Sequence, residues 1–224
     1  VGHADYKGAA YLFSRNEGGA NAWGQVKTLT ASDGESMDYF GAAVALDGDT
    51  VVVGTSINGT SNRCAAYVFQ RDQGGAGAWG QVAKLTASDR SEEMDLYGGS
   101  VAIDGDTVLV GARWNNPYRG AVYLYSRHSG GINAWGQTRK WVAAACTTND
   151  GMGRSVAIEG NVMAAGATGH GQSPGAVFVL YGASSPGIQV LGTNGAVLAS
   201  GAEASLNGGT AFGSSATHTL TITN

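Results

Sequence analysis

Residues 98–111 read GGSVAIDGDTVLVG, and this stretch decides the fold. Residues 100–103 (Ser-Val-Ala-Ile) are mostly apolar, and a run rich in β-branched residues follows over residues 106–110, which is typical of β-strands. The pair Asp104-Gly105 between the two runs is a strong signal for a two-residue hairpin turn, whose central residues both need positive φ angles. The stretch therefore predicts two short antiparallel strands joined by a tight turn.

This hairpin is one copy of a repeated unit. Similar stretches are GAAVALDGDTVVVG at residues 41–54 and GRSVAIEGNVMAAG at residues 153–166. The phrase Ala-Trp-Gly-Gln occurs three times, and its tryptophans lie 56 residues apart, at Trp23, Trp79 and Trp135. A third phrase also recurs, at residues 8–13, 64–69, 120–125 and 175–179. Three phrases with one period indicate a repeat protein.

Each unit carries four runs with strand character. In the best-preserved copy the hairpin is followed by an aromatic and β-branched run at residues 121–125, a glycine-rich connection, and a fourth run at residues 135–142. A single four-stranded sheet exposes an apolar face and is only marginally stable, so we expect successive sheets to pack face to face. Radial packing would give an all-β propeller, with a linear solenoid as the alternative.

The composition excludes several classes of protein. Glycine contributes 37 of 224 residues, while only 13% of the residues are charged and 43% are hydrophobic, which argues against disorder. The net charge is −4 and no basic run is present, so nucleic acid is not expected as a partner. No apolar stretch is long enough to span a membrane, and two cysteines cannot form a disulfide framework.

The repeat resembles the FG-GAP repeats of integrin-alpha-type β-propellers, in the short form found in bacterial surface proteins. The family name describes an aromatic-Gly pair that opens the unit and a Gly-Ala-Pro-like turn that closes its first hairpin. The opening pairs here are Phe40-Gly41, Tyr97-Gly98 and Met152-Gly153, and the closing turns are Gly54-Thr55-Ser56, Gly111-Ala112-Arg113 and Gly166-Ala167-Thr168. None of these turns has the proline, and the third opening pair has no aromatic ring.

The resemblance implies an incomplete propeller over residues 1–182. A full ring would have about seven blades, and we expect about four here. The phase of the repeats predicts a first blade without its opening strands, two complete blades at about 41–90 and 98–145, and a last blade with three strands ending near Tyr181. We expect sequence upstream of Val1 to supply the missing fourth strand, and the chain by itself to form an open arc.

Residues 183–224 read as a different module. The blade period stops at Ala183, and the segments at residues 188–191 and 219–223 alternate like the first strands of a β-sandwich. The pattern resembles the start of an immunoglobulin-like module of the choice-of-anchor D type. It would be truncated here, because such sandwiches need roughly 100 residues.

The acidic residues do not predict a metal site. Many FG-GAP blades bind calcium in a D-x-D-x-D-G loop, but the two carboxylates flanking each turn here, as in Asp47-Gly48-Asp49, are expected to point apart. More open acidic connections lie between blades, and we expect their side chains to cap turns, with an ion or cationic-ligand site as the alternative. These connections contain Asp33, Glu35, Asp38, Asp89, Glu92, Glu93 and Asp95. No cofactor is expected.

The three repeated tryptophans have two interpretations. They could stack on sugar rings, as in a lectin, but packing between blades is favoured, with each indole N–H donating to a nearby carbonyl. Trp141 aligns with Leu85 and Leu29 at the same period and is therefore expected in the interior.

A non-repeated loop is the candidate ligand site. It joins the second and third strands of its blade, on the face where integrin-type propellers recognise ligands. The equivalent loops of the other repeats have neither Trp nor Tyr, and the cluster has the composition of a binding hot spot. The candidate residues are Arg113, Trp114, Asn115, Tyr118 and Arg119. The alternative is that Trp114 only covers the end of a blade.

The sequence gives no support for catalysis. The four histidines fall in different phases of the repeat, and we expect none to have a paired carboxylate. Cys64 and Cys146 are expected to be small buried residues without a disulfide. Asn58-Gly59-Thr60 matches a glycosylation sequon, although a turn is favoured. The resemblance implies a non-catalytic extracellular or cell-surface protein that mediates adhesion or protein recognition, the alternatives being a carbohydrate-binding propeller and a structural spacer.

Overall fold

A computed structural model describes residues 6–55, 64–89, 95–171 and 174–181, together with two short strands at residues 190–191 and 197–199. Apart from one helical turn, all regular elements in these ranges are β-strands. The all-β prediction is therefore confirmed for this part of the chain. The sequon at Asn58 and the acidic residues Glu92 and Glu93 lie outside the described residues.

The strands between residues 10 and 181 form four consecutive antiparallel sheets, here named sheets I to IV in chain order. Sheet I contains β1 (Ala10–Arg15) and β2 (Trp23–Leu29). Sheet II contains β3 (Ala43–Asp47), β4 (Thr50–Gly54), β5 (Ala66–Gln70) and β6 (Gly80–Leu85). Sheet III contains β7 (Tyr97–Asp104), β8 (Thr107–Ala112), β9 (Ala121–Ser126) and β10 (Gly136–Trp141), with the helical turn α1 (Asn115–Tyr118) between β8 and β9. Sheet IV contains β11 (Met152–Glu159), β12 (Val162–Ala167) and β13 (Ala176–Tyr181).

Strand counts of two, four, four and three agree with the predicted phase of the repeats. Within each sheet the strands are hydrogen-bonded in sequence order, so every connection is a short antiparallel one. Local signals sufficed to locate these strands, because glycine-containing turns and loops separate most of the runs of apolar and β-branched residues.

The prediction for the hairpin turns was wrong in one respect. Asp104 pairs with Thr107, so the two central residues are Gly105 and Asp106 rather than Asp104 and Gly105. Only the glycine takes a positive φ, of 52°, and the other hairpins repeat this with Gly48 and Gly160. A glycine at the first central position is the preference of type II′ turns, which suit the right-handed twist of the strands as well as type I′ turns do.

The core lies between the sheets, in three apolar clusters. The first cluster joins sheets I and II and includes Leu29, Phe40 and Phe69. The second joins sheets II and III, and the third joins sheets III and IV. The predicted face-to-face packing of successive sheets is therefore confirmed. Trp141 is buried in the third cluster, as its alignment with Leu29 and Leu85 predicts.

The motif glycines allow the backbones of neighbouring sheets to touch. A Cβ atom at Gly111, in the closing turn of sheet III, would collide with the carbonyl oxygen of Gly153, in the opening pair of sheet IV. Gly54 and Gly98 meet in the same way between sheets II and III. The opening glycines also have positive φ angles, 88° at Gly98 and 87° at Gly153. Both halves of the motif thus serve one contact, the approach of consecutive sheets.

A repeated polar contact also joins the sheets. Asp33, in the connection after sheet I, accepts hydrogen bonds from the Tyr67 hydroxyl (2.9 Å) and the Lys84 ammonium group (2.5 Å) of sheet II. One repeat later, Asp89 accepts from Tyr123 (2.8 Å) and Lys140 (2.6 Å) of sheet III. We refer to this arrangement as the Asp–Tyr–Lys contact.

The described part of the C-terminal region consists of two paired strands, β14 (Val190–Leu191) and β15 (Val197–Ala199). β14 falls within the segment at residues 188–191 that the sequence predicts as a strand. The other predicted segment, at residues 219–223, lies outside the described residues. The assignment of residues 183–224 to an immunoglobulin-like module remains a prediction.

Candidate ligand-binding site

Consecutive strands run in opposite directions, so their connections lie alternately at the two ends of the strands. These two ends form two opposite surfaces of the stack of sheets. The tight hairpins at Gly48, Gly105 and Gly160 are on one face, named here the hairpin face. The loops between second and third strands lie on the other face, beside the connections that lead to the next sheet. We call it the connection face, and it carries the predicted candidate loop.

The candidate loop is held in place by the buried side-chain amide of Asn115. Asn115, at the start of α1, is buried, and its side chain donates to Asp95 (3.1 Å) and accepts from Lys140 (2.7 Å). The Asp95 carbonyl also accepts the Trp114 N–H at 3.1 Å. Asp95 lies two positions before Tyr97-Gly98, and Asp38 and Asp150 hold the same position in their repeats and are likewise buried. A repeated carboxylate thus anchors a loop that is not repeated.

In the same loop, the guanidinium group of Arg113 and the aromatic rings of Trp114 and Tyr118 pack together. The Arg113 guanidinium lies over the Trp114 ring, 5.3 Å from its centroid. The Tyr118 ring meets Trp114 edge-on, with centroids 5.8 Å apart and an interplanar angle of 78°. Trp114 is half-buried, whereas Tyr118 is 49% exposed. Cation–π and edge-to-face contacts of this kind orient the three side chains relative to one another.

The connection from sheet III to sheet IV forms the opposite wall. The N–H of Gly151 donates to the Tyr118 carbonyl (2.9 Å), which joins this connection to the candidate loop. The buried Asp150 carboxylate accepts from the Thr147 N–H (2.7 Å) and lies 2.7 Å from Nδ1 of His170. Although burial opposes ionisation, the bonds from Thr147 and His170 lower the pKa of Asp150.

Between these walls lies a cavity of about 160 Å³ on the connection face. Its lining combines two cations, two aromatic rings and small polar groups. The lining residues are Arg113, Trp114, Tyr118, Asn149, Gly151, Arg154 and Thr168.

Three of the five predicted site residues line this cavity, namely Arg113, Trp114 and Tyr118. Asn115 lies beneath the loop as its anchor. The Arg119 guanidinium instead donates to the Ala143 and Ala144 carbonyls, at 3.2 and 3.4 Å, and so holds the strand connections together. The structural roles of Asn115 and Arg119 depend on their burial and hydrogen-bond partners, which composition alone does not reveal.

Sequence reasoning missed the contribution of sheet IV to the cavity, especially Arg154. This arginine follows Gly153, and the equivalent positions after Gly41 and Gly98 are Ala42 and Gly99. An arginine at a position that is otherwise small was a signal of the same kind as the non-repeated Trp114. It could have been found by comparing the repeats position by position.

The charges in this cavity differ from those on the hairpin face. Among the described residues, no carboxylate is within ion-pair distance of the Arg113 or Arg154 guanidinium. A larger cavity of about 460 Å³ on the hairpin face also contains two arginines, but both are paired. Arg71 lies 3.1 Å from Asp49, and Arg127 lies 2.7 Å from Asp106. The connection-face cavity therefore has an uncompensated positive charge.

The repeated tryptophans differ in burial. Trp135 is 3% exposed, Trp79 is half-buried, and Trp23 is 68% exposed. Trp135 packs in the cluster between sheets II and III, which confirms packing between blades for this copy. The expected indole hydrogen bond was wrong there, since the Trp135 N–H has no acceptor among the described residues and the Arg127 guanidinium lies 5.1 Å from the ring centroid. Trp79 packs against the cluster between sheets I and II, and Trp23 is exposed on the outer face of sheet I.

The expectation that the inter-blade carboxylates cap turns is met by Asp38, which accepts the Glu35 N–H at 2.6 Å, whereas Asp33 and Asp89 contact the next sheet. Asp33 and Asp89 form the Asp–Tyr–Lys contacts, and Asp38 and Asp95 bond within or beside their own loops. No group of three or more possible metal-ligating His, Cys, Asp or Glu side chains occurs within the described ranges. In the hairpin turns, the Asp47 carboxylate accepts from the Gly105 N–H at 2.7 Å, so it points towards the neighbouring turn.

The expectation that no histidine has a paired carboxylate was wrong. His170 and Asp150 form a pair at 2.7 Å, and the His170 ring also contacts Phe178 edge-on, 5.4 Å away. In the described part of the chain no hydroxyl or thiol hydrogen-bonds to the other ring nitrogen of His170, so the pair has no attached nucleophile. Cys64 is half-buried and Cys146 is buried.

No helix among the described residues is long and apolar enough to cross a membrane.

Small antiparallel sheets that stack on one another at a 56-residue period define a propeller-type repeat protein. The family model of the FG-GAP repeat matches residues 23–69, 79–125 and 135–180, which together exceed half of the chain. The chain therefore belongs to the FG-GAP repeat family. A search of curated proteins found no match.

Proposed function

We propose that this chain is part of a non-catalytic β-propeller, located outside the cell or on its surface, that mediates adhesion by binding a ligand at the connection face. The ligand site is the cavity between the candidate loop of sheet III and the connection to sheet IV. The membership in the FG-GAP family supports the propeller architecture, and the resemblance to integrin-alpha-type repeats supports the location and the adhesive role.

Closure into a ring is supported by the outer face of sheet I. Tyr11, Phe13 and Trp23 are exposed on it, while their equivalents in sheet III, 112 residues later, are buried against sheet II. Val44 and Leu46 on β3 are each 62% exposed, and Val101, the equivalent of Val44, is buried. The exposed apolar side chains on β1, β2 and β3 could therefore pack against another sheet that precedes them in the ring.

The observation that carries the proposed function is that key side chains lining the cavity are specific to one repeat. Trp114, Tyr118 and Arg154 have no counterparts in the other repeats, so the requirements of packing between sheets do not explain them. Polar and aromatic groups that converge on a concave surface are typical of a ligand site. A hot-spot composition of Arg, Trp and Tyr is typical of recognition.

The test is a binding screen of the full 224-residue chain on a glycan array and on an array of surface-protein peptides. We expect the screen to identify ligands that bind the wild type and no longer bind Trp114→Ala, because the substitution removes the ring that orients Arg113 and Tyr118. The melting temperature of Trp114→Ala should stay close to that of the wild type, since Trp114 is half-buried and lies outside the apolar clusters between sheets.

Trp23→Ala is the matched control. It removes an exposed indole on the outer face of sheet I and should leave specific binding unchanged. If no ligand on either array distinguishes Trp114→Ala from the wild type, the proposed site is wrong, and the structural-spacer alternative is favoured.

A further inference from the structure

We propose that the connection-face cavity binds an acidic sugar, namely a hexuronate residue of a polysaccharide. This inference rests on the proposed function and adds the ligand class. It is based on three properties of the cavity, which are its charge, its size and the chemistry of its neutral groups.

The charge selects an anion. Arg113 and Arg154 both line one small cavity, and among the described residues neither forms an ion pair with a carboxylate. Asp150 lies nearby in sequence, but its carboxylate is turned away to Thr147 and His170. In a chain of net charge −4, such a pair of arginines gives a local positive potential. The planar guanidinium fork matches a carboxylate in bidentate geometry.

The size and the rings select a single flat unit. A volume of about 160 Å³ is below the roughly 300–1,000 Å³ typical of drug-sized ligand sites, so the cavity accommodates one sugar ring or one side chain. One face of the Trp114 indole is already covered by Arg113. The ring of Tyr118, 49% exposed at the rim, remains accessible to the C–H face of a pyranose.

The neutral polar groups favour a sugar acid over an acidic peptide side chain. Asn149 and Thr168 line the same cavity and are exposed, so an amide and a hydroxyl are available for hydrogen bonds. A hexuronate has ring hydroxyls that can pair with both, next to a carboxylate for the arginines. The carboxylate of Asp or Glu, on a bare alkyl stem, would leave these two groups without ligand partners.

The experiment is isothermal titration of the full chain with a short oligogalacturonate, with the neutral galactose oligomer of the same length, and with a Glu-rich peptide. We expect heat of binding with the oligogalacturonate alone. The affinity should fall on raising NaCl from about 50 to 500 mM, because exposed charge pairs are screened over a shorter distance.

Three variants locate the site. Arg154→Ala and Arg113→Ala should each weaken oligogalacturonate binding by about tenfold or more, as expected for loss of a hydrogen bond to a charged group. Arg154→Lys keeps the charge without the planar fork and should bind with intermediate affinity. Arg71→Ala is the matched control, because it removes one positive charge on the hairpin face and should bind like the wild type.

The outcomes separate the two levels of the proposal. Binding of oligogalacturonate that Arg154→Ala does not weaken, or equal binding of the neutral oligomer, would overturn the acidic-sugar inference. Binding of the Glu-rich peptide alone, lost in Trp114→Ala, would overturn it and leave the proposed function standing. If no ligand in the titrations or on the arrays depends on Trp114, both proposals fail.

Discussion

At the level of single residues, Gly153 shows how closely the sheets approach. Its φ of 87° suits glycine, and a Cβ atom there would lie 3.2 Å from the Ala112 nitrogen and closer still to the Ala121 carbonyl oxygen. Both groups belong to the backbone of sheet III, which cannot move without disturbing its ladder. Any other residue at this position therefore strains the backbone and separates sheets III and IV.

We expect Gly153→Ala to lower the free energy of unfolding by about 2 kcal/mol or more, because an unfavourable φ and a backbone clash act together. Chemical denaturation measures the loss. The matched control is Gly99→Ala. Gly99 has no positive φ, its equivalents Ala42 and Arg154 already carry a side chain, and stability should change by less than about 1 kcal/mol. Equal losses in both variants would contradict this account.

Residue identities predicted the candidate site only in part. Comparison of repeats identified Arg113, Trp114 and Tyr118 because nothing in the other copies resembles them. The role of Asn115 could not be seen in the same way, since it depends on Lys140 in β10 and on Asp95 in the connection before β7. Such long-range contacts become visible only when the stacking of the sheets is known.

At the level of strands and connections, the Asp–Tyr–Lys contact fastens the connections after sheets I and II to the last two strands of the following sheet. The ammonium group of Lys140 lies 5.3 Å from the Tyr123 ring centroid while it donates to Asp89. The hydrogen bond from Lys84 is the main cause of the lowered pKa of Asp33. Burial opposes ionisation of Asp89, yet the bonds from Lys140 and Tyr123 lower the pKa of that carboxyl too.

These lowered pKa values predict a pH dependence. A carboxyl group whose pKa is lower in the folded state stabilises the fold above its unfolded pKa, near 3.8, and loses that effect as the pH falls through the folded value. We expect Asp89→Asn to reduce stability at pH 6 by about 1 kcal/mol or less, since the side chain is 46% exposed. The difference from the wild type should disappear between about pH 4 and pH 2.

Thermal unfolding of both proteins over this pH range gives the measurement. Asp72→Asn is the control, because Asp72 accepts only a local bond from the Gly77 N–H at 2.9 Å. Its difference from the wild type should not follow the same pH profile. A constant difference for Asp89→Asn from pH 6 to pH 2 would show that the charge of Asp89 has no role.

Strands were predicted well and the contacts between sheets poorly, for a physical reason. A strand is indicated by its own run of apolar and β-branched residues and by the turn residues next to it, all of which are local in sequence. The Asp–Tyr–Lys contact joins residues 34 and 51 positions apart, so it needs knowledge of which connection overhangs which sheet. The hairpin turn lies between these cases, since the Asp-Gly signal located the turn and misplaced its centre by one residue.

At the level of the whole molecule, the stack of four sheets is open at both ends. Trp23 is exposed on the outer face of sheet I, Val44 and Leu46 are exposed on β3 of sheet II, and Val177 of sheet IV is 65% exposed on its far side. Val122, the equivalent of Val177 in sheet III, is fully buried against sheet IV. Both ends therefore present the apolar surfaces that are buried wherever two sheets meet.

We expect the isolated 224-residue chain to associate in a concentration-dependent manner through these faces. The double variant Val44→Lys, Leu46→Lys should shift the molar mass measured by light scattering towards that of the monomer. The control Ile132→Lys changes an even more exposed apolar residue, 90% exposed, in the connection between β9 and β10, and should leave association unchanged. A monomeric wild-type chain at high concentration would contradict the prediction.

Each stretch matched by the family model begins with the last strand of one sheet and continues through the first three strands of the next. An extra copy of residues 79–134 inserted before Trp135 would complete sheet III with a second β6, add three strands, and leave β10 to finish the new sheet. No strand would be orphaned. Gene duplication in this frame can therefore enlarge such an assembly by one whole blade at a time. Every contact between neighbouring sheets would then be of a type that is already present in the chain.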